Sequence, residues 1–411
     1  MFSFFKKKDG PTEMIAVVDI GSASAASALV ELDRRGVPTV WQADRVVLPV
    51  EQMRDIETLK RRLASAVSQA LSNTAEAALN HMTKGRHGQQ DVRGGAIAHV
   101  AVFLPSPWST LLLRNVRLAR AAPVSVTPAL IERMVADYVK RERPDKKTEA
   151  VIERSVVGLQ LNGYSVIDIP QNTQAETIEM TVISATVDRD MLTALRDTIH
   201  KAIGHYTTIS FHATSVATSY ALSVIKPDTP DYVLANAEGE VTELTLVTEH
   251  TPSAVTTATT GCATMERALV ANGIPSAEVS SALTLAQNDS SPMAQKIGSI
   301  KTTAGDACSA ALAATAGDLL KPPQSAPRTM YLLQDSEDAR WLQDALSHNT
   351  SFLALFPQGV EFTPLNVQLL LPHIAARGQG ELDPYLALEA IYTDARFDQR
   401  RAFNFKLSGK M

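Results

Sequence analysis

Ile15-Ala16-Val17-Val18-Asp19-Ile20 runs into Gly21-Ser22-Ala23-Ser24-Ala25-Ala26 and resumes as Ser27-Ala28-Leu29-Val30-Glu31-Leu32. The spacing predicts a buried strand, a turn of small residues, and a second strand. Asp19, Gly21, Ser22 and Ser24 offer backbone N–H groups and hydroxyls with little side-chain bulk, which suits a phosphate cradle. The alternative reading is a tight bend that the fold itself needs.

Outward from that turn, Thr39 to Val50 reads as a third strand. Ile56, Leu59, Leu63, Val67 and Leu71 recur at helical spacing and give one apolar face. A polar, Gly-rich loop covers Lys84 to Gly95, and Ala96 to Leu104 reads as a strand. The next stretch changes style. Thr110 to Leu118 reads as a strand, and Thr127-Pro128 as a helix start with Thr as N-cap. The charged run Lys140 to Lys147 reads as a solvated loop. Two longer strands follow, Val151 to Ile169 (turning at Asn162-Gly163) and Thr177 to Val187. A helix from Asp188 to Ile203 then returns the chain to the main body.

The second half repeats the opening. Tyr232 to Ala235 is a strand, Asn236 to Glu240 a turn, Val241 to Val247 and Ala254 to Thr260 two more strands. Gly261 opens a helix. A mostly helical, Ala-rich stretch covers Ser276 to Leu320. Pro322-Pro323 and Pro327 form a linker, Met330 to Leu333 a short strand, and Asp335 to Leu346 a helix. Two halves opening alike imply a duplicated α/β fold with a cleft between them.

Composition narrows the function. The chain has 411 residues, room for two to three domains at roughly 150 residues each. Its formal charge is −5, with 39 basic and 44 acidic residues, so nucleic acid is not expected as a partner. Two cysteines, Cys262 and Cys308, exclude a disulfide framework and a four-cysteine zinc site. They fit a cytosolic protein. No run of about 18 apolar residues spans a membrane. His200, His205 and His212 have spacings that do not make a helical ligand pair, and no metal site is expected. Phe2, Phe4 and Phe5 beside Lys6, Lys7 and Lys8 are a candidate tether to an anionic membrane surface, the alternative being a frayed terminus. The run Arg396 to Lys406 lacks a clean apolar stripe, and a partner-binding or disordered tail is the better reading.

Asp19-Ile20-Gly21-Ser22-Ala23-Ser24, the insert carrying Thr127-Pro128-Ala129-Leu130-Ile131 and Asn162-Gly163-Tyr164, and Phe211-His212-Ala213-Thr214-Ser215 occur in an order that resembles the actin-like ATPase superfamily. The branch is that of the type IV pilus assembly protein PilM and the cell-division protein FtsA. The resemblance covers about Met14 to Asp394 and implies a two-lobed actin-like (ribonuclease H-like) fold with an inserted subdomain. The implied boundaries are 1–12 as a tail, 13–112 with 196–226 as the first lobe, 113–195 as the insert, 227–395 as the second lobe and 396–411 as a tail. It also implies a nucleotide site for ATP and magnesium at Asp19, Gly21, Ser22, Ser24, Asn236, Gly239 and Gly261.

The departures from the pattern bear on that site. Asn236 stands where the branch has an aspartate, Glu238 where it has a glycine, and Ala26 where the PilM type has a lysine. Gln334-Asp335-Ser336 replaces the adenine-side Thr-Gly-Gly. A carboxylate beside a triphosphate is repulsive, so the expectation is a scaffold with degraded ATPase motifs rather than an enzyme. By this resemblance it sits peripherally on the inner face of the cell membrane. There it binds the cytoplasmic segment of a PilN-like inner-membrane protein in type IV pilus assembly. Self-association into dimers or filaments belongs to the same expectation. The alternative is an FtsA-like division protein that polymerises at the membrane and binds FtsZ. A working ATPase or sugar kinase would need the intact second and third motifs.

Overall fold

The computed structural model describes residues 13–32, 36–50, 55–85, 97–141, 148–166, 172–288, 291–321, 325–334 and 340–398. The N-terminal tether residues Phe2, Phe4, Phe5, Lys6, Lys7 and Lys8 lie outside them, as do Pro322-Pro323, Asp335, Ser336 and residues 399–411.

The chain opens with three antiparallel strands, β1 (Glu13–Ile20), β2 (Ser24–Leu32) and β3 (Thr39–Val47). Helix α1 (Ile56–Gly85) crosses over to β4 (His99–Leu104), which runs parallel to β1. An inserted unit follows, made of β5 (Ser109–Ser125), α2 (Pro128–Arg141), β6 (Glu149–Leu161), β7 (Tyr164–Ser165) and β8 (Gln174–Asp188). Helix α3 (Arg189–Ile203), capped by the Asp188 side chain, leads to β9 (Thr208–Ala213) and α4 (Thr214–Ile225).

The second lobe comprises β10 (Tyr232–Ala237), β11 (Thr242–Thr248) and β12 (Thr251–Ala258), then helices α5 (Cys262–Ala271), α6 (Val279–Asn288) and α7 (Pro292–Leu319). Strand β13 (Thr329–Gln334), helices α8 (Trp341–His348) and α9 (Thr350–Leu353), and β14 (Glu361–Pro364) complete it. Helix α10 (Val367–Leu370), β15 (Ala375–Gln379) and α11 (Pro384–Asp398) close the described chain.

Among the described residues the first sheet has the order β15-β3-β2-β1-β4-β9 and the second β12-β11-β10-β13-β14. Apart from β15, each lays out its strands as third, second, first, fourth, fifth. In each, the first three are antiparallel and the last two parallel. The molecule is therefore the duplicated, two-lobed actin-like fold that the sequence implied.

Strand alternation divides the core into layers. Ala16, Val18 and Ile20 face outward onto Leu63, Val67 and Leu71 of α1 and onto α3. Ile15 and Val17 face inward, toward α4 and α11 and the inner face of the second sheet at Tyr232, Leu234, Tyr331 and Leu333. The outer face of that second sheet, with Val233, Ala235 and Leu332, packs on α5 to α9. The insert has its own small core, where Ile131, Met134 and Val135 of α2 cover Ile178, Met180 and Val182 of β8.

Several expected boundaries move. Ser24 to Ala26 pair with β3 rather than forming a turn, which leaves Gly21-Ser22-Ala23 as the bend. Asn236 and Ala237 likewise finish β10, so the second bend starts at Glu238. The insert ends at Asp188, because α3 buries Met191, Leu192, Leu195 and Ile199 against the first lobe. The second lobe ends near β14. Strand β15 pairs with β3, and α11 packs into the inner core on α4 and β1, so residues 375–398 belong to the first lobe and the inter-lobe layer. Arg396 stands in α11, not in a tail.

Candidate functional site

The two bends meet where the lobes face each other. Asp19, Gly21, Ser22 and Ser24 of the first, and Asn236, Gly239 and Gly261 of the second, are all buried and brought together there. The first bend is fixed from outside: Trp108 Nε1 donates to the Gly21 carbonyl at 2.9 Å, and Leu48 N–H donates to the Ala23 carbonyl at 2.7 Å.

The bends also hold each other. Glu240 N–H donates to Ser22 Oγ at 2.9 Å across the lobes. Gly239 approaches so closely that a Cβ on it would stand 2.3 Å from the Ala23 Cβ. Only glycine permits that approach, and no phosphate fits between the two. Beyond the second bend, the N–H groups of Cys262 and Ala263 open α5. In a phosphate cradle such groups face the anion. Here they donate to the carbonyls of Glu238 and Gly239, both at 2.8 Å. Gly261 is required at the N-cap because a Cβ there would lie 2.2 Å from the Glu238 carbonyl oxygen.

Arg45, projecting from β3, occupies the ground in front of the first bend. Its Nη2 donates to Asp19 Oδ2 at 2.7 Å, Nη1 to Ser24 Oγ at 2.5 Å and Nε to Asp383 Oδ2 at 3.0 Å. The guanidinium lies 5.4 Å from the ring centroid of Tyr385, in cation–π range. The Tyr385 hydroxyl in turn donates to Asn236 Oδ1 at 2.8 Å, and Asn236 Nδ2 donates to Glu238 Oε1 at 3.3 Å. Asn236, uncharged, is thus engaged by α11 and by its own bend.

Glu389, one turn further along α11, is 1% exposed, and neither carboxylate oxygen has a hydrogen-bond partner among the described residues. Burial pushes its carboxyl well above the ordinary range. The charges of Asp19, Asp383 and Glu238 add to that rise, while Arg45 opposes it. Among the described residues, no group of three or more His, Cys, Asp or Glu side chains is arranged to hold a metal ion. Magnesium on a triphosphate needs only one or two carboxylates, so the misfit of these residues to that group rests on the bends and their charges. The bends touch, a guanidinium fills the front of the first, and Glu238 and Glu389 add buried carboxyls where negative charge would arrive. Ser22→Ala, which removes the hydroxyl that bridges the lobes, is expected to lower stability by about 1 kcal/mol. Urea titration measures this, and an unchanged midpoint would show that the bridge contributes nothing.

A second buried cluster ties the insert to the body. Glu153 of β6 accepts from Arg396 Nη1 at 2.8 Å, from the Tyr392 hydroxyl at 3.4 Å and from the Ala213 N–H at 3.2 Å. His212 Nδ1 lies 3.9 Å from it, and Ser210 Oγ joins His212 Nε2 to His99 Nε2 at 2.8 Å each. Burial alone would raise the Glu153 carboxyl. His212, Arg396 and the Ala213 N–H outweigh it and hold the value at about 2. His200 and His205 stack on each other with ring centroids 5.2 Å apart.

Arg45, Asp383, Tyr385 and Glu389 were not singled out from the sequence. One signal was legible: Glu389 is the single charge in the otherwise apolar run Pro384 to Tyr392.

A solved structure described as the PilM–PilN type IV pilus biogenesis complex matches 93% of this chain and 98% of that one, with a TM-score of 0.59 and 14% identity. The fold is shared over nearly the full length of both chains, insert included. The ethanolamine utilization protein EutJ from Carboxydothermus hydrogenoformans matches 95% of this chain and 91% of its own, with a TM-score of 0.43 and 10% identity. A Bacteroides thetaiotaomicron protein described as having an actin-like ATPase fold matches 96% and 99%, with a TM-score of 0.37 and 9% identity. No family model and no curated protein matches the sequence.

Proposed function

We propose that this chain is a PilM-like scaffold, a pseudo-ATPase that binds the cytoplasmic segment of an inner-membrane protein of the PilN kind. On this reading it works at the inner face of the cell membrane, in type IV pilus assembly, held there by its partner. The observation that carries the reading is the shared fold with the protein described in complex with PilN, over 93% of this chain. The contact between Ala23 and Gly239, with Arg45 in front of it, supports the pseudo-ATPase half. No helix among the described residues is long and apolar enough to cross a membrane.

Two measurements test the two halves. Titration calorimetry with Mg-ATP and Mg-ADP is expected to give neither heat nor a thermal shift; micromolar binding would sink the pseudo-ATPase half. Affinity purification of the tagged protein from its native membranes is expected to recover an inner-membrane protein with a single span. A synthetic peptide of that protein's short cytoplasmic segment then binds the purified chain. If no such segment binds, the scaffold half fails.

A further inference from the structure

We propose that the layer between α4 and β11 binds an alkali-metal cation, sodium or potassium, on the Glu243 carboxylate and the hydroxyls of Ser215, Thr218, Ser219 and Thr245. The site is independent of the scaffold reading above. Ser106 and α4 belong to the first lobe and β11 to the second, so the ion joins the two lobes.

The geometry follows from strand alternation. Leu244 and Leu246 pack into the outer core of the second lobe, which leaves Glu243, Thr245 and Val247 on the inner face of β11. Two contacts fix how that face meets α4. Ser215 Oγ donates to Glu243 Oε1, and the Tyr232 hydroxyl donates to the Ser219 carbonyl at 3.2 Å. Tyr232 pairs in register with Val247, so the first contact marks one end of the inner face and the second marks the other. Thr245 falls between them. It stands level with the turn of α4 that carries Thr218 and Ser219, three and four residues beyond Ser215 and on its side of the helix.

The polar groups in this layer are short of partners. Thr218, Ser219 and Thr245 are each 1% exposed, and none of the three hydroxyls has a hydrogen-bond partner among the described residues. Glu243 is 4% exposed and accepts from Ser106 Oγ at 2.5 Å as well as from Ser215. Among the described residues no Lys, Arg or His pairs with it. A buried carboxylate without a counter-charge is costly, and so is each buried hydroxyl without a partner. One cation offsets both. The donors are all oxygens, the set that hard cations take. The single carboxylate sets the charge of the ion. It neutralises one positive charge, whereas a divalent ion would keep an uncompensated charge in a buried layer.

The test is a set of thermal melts of the full chain in sodium, potassium and choline chloride. All three are used at about 150 mM, so screening is the same and only the size of the cation differs. A site with a dissociation constant of about 10 mM raises the melting midpoint by about 3–6 °C over choline in at least one of the two alkali salts. Thr245→Val, which keeps the branched side chain and removes the oxygen, is expected to lose most of that difference, and so is Glu243→Gln. Thr218→Val takes the place of either variant that fails to fold. Sodium NMR reads the same site without unfolding: the sodium line broadens with the unaltered chain and less with Thr245→Val. Equal midpoints in all three salts overturn the proposal and assign the hydroxyls to water and a proton to Glu243. A salt difference that the substitutions leave intact also overturns it, because the cation then binds elsewhere.

Discussion

Arg45→Ala lowers the melting temperature by about 6–12 °C. The guanidinium is 16% exposed and Asp19 only 1%, so the pair is shielded from water. Removing one member of such a pair leaves an uncompensated buried charge, at about 3 kcal/mol even after allowing for Arg45's partial exposure. For lobes of this size each kcal/mol moves the midpoint by about 2–4 °C. The loss depends on pH. Without Arg45, Glu389 loses the one cation that opposes its upward shift and is left facing the carboxyls of Asp19 and Asp383. A carboxyl with a raised folded value favours the fold at low pH and works against it as pH rises. The deficit of Arg45→Ala is therefore smaller at pH 5 than at pH 8. Glu389 carries the same sign in the unaltered chain, and Glu389→Gln should recover part of the loss at pH 8. Thermal melts across that range check it; a deficit below 1 kcal/mol, flat with pH, would show that Arg45 is not what balances these carboxyls.

Glu153→Gln produces a change of similar size with the opposite dependence on acid. The folded value of Glu153 is about 2 against an ordinary 4.5. A depressed carboxyl stabilises the fold above its unfolded value, and loses that contribution as pH falls through the folded one. Two and a half pH units correspond to about 3 kcal/mol at neutral pH. Chemical denaturation of the two proteins is thus expected to differ by about 3 kcal/mol above pH 5, and by almost nothing near pH 2. A gap that persists near pH 2 would assign the loss to packing rather than to the ionised carboxylate. The substitution also leaves Arg396 without its carboxylate, so limited proteolysis should cut between insert and body sooner.

The repeated strand-turn-strand opening of the two halves and the insert were legible in the sequence because each rests on local signals. Small residues at Gly21 to Ala23, the Thr127-Pro128 start and the Asn162-Gly163 turn mark their own positions. The bends were placed less well. Ser24 to Ala26 and Asn236 are small or polar, which reads as turn, yet pairing with a neighbouring strand extends β2 and β10 through them. The residues that fill the cleft were not legible for a different reason. Arg45 and Asp383 lie 338 positions apart, and no local pattern joins a β-strand arginine to the cap of a distant helix. The destination of β15 and α11 was hidden in the same way. Periodicity identifies a helix and its apolar face but says nothing about which lobe receives it.

The position of α11 in the chain has a consequence for biosynthesis. This helix fills the layer between the lobes, and the residues it contacts, Arg45 and Glu153, emerge 338 and 243 positions ahead of Asp383 and Arg396. At roughly 5–20 residues per second, β1 to β3 wait about 20–70 s for the helix that covers their inner face. Through that interval Ile15, Val17 and Val30 lack the part of their cover that α11 supplies, with α4 and the second sheet arriving earlier. The first lobe to be translated is thus the last to be completed, and a chain stopped before Pro384 leaves part of that apolar face uncovered.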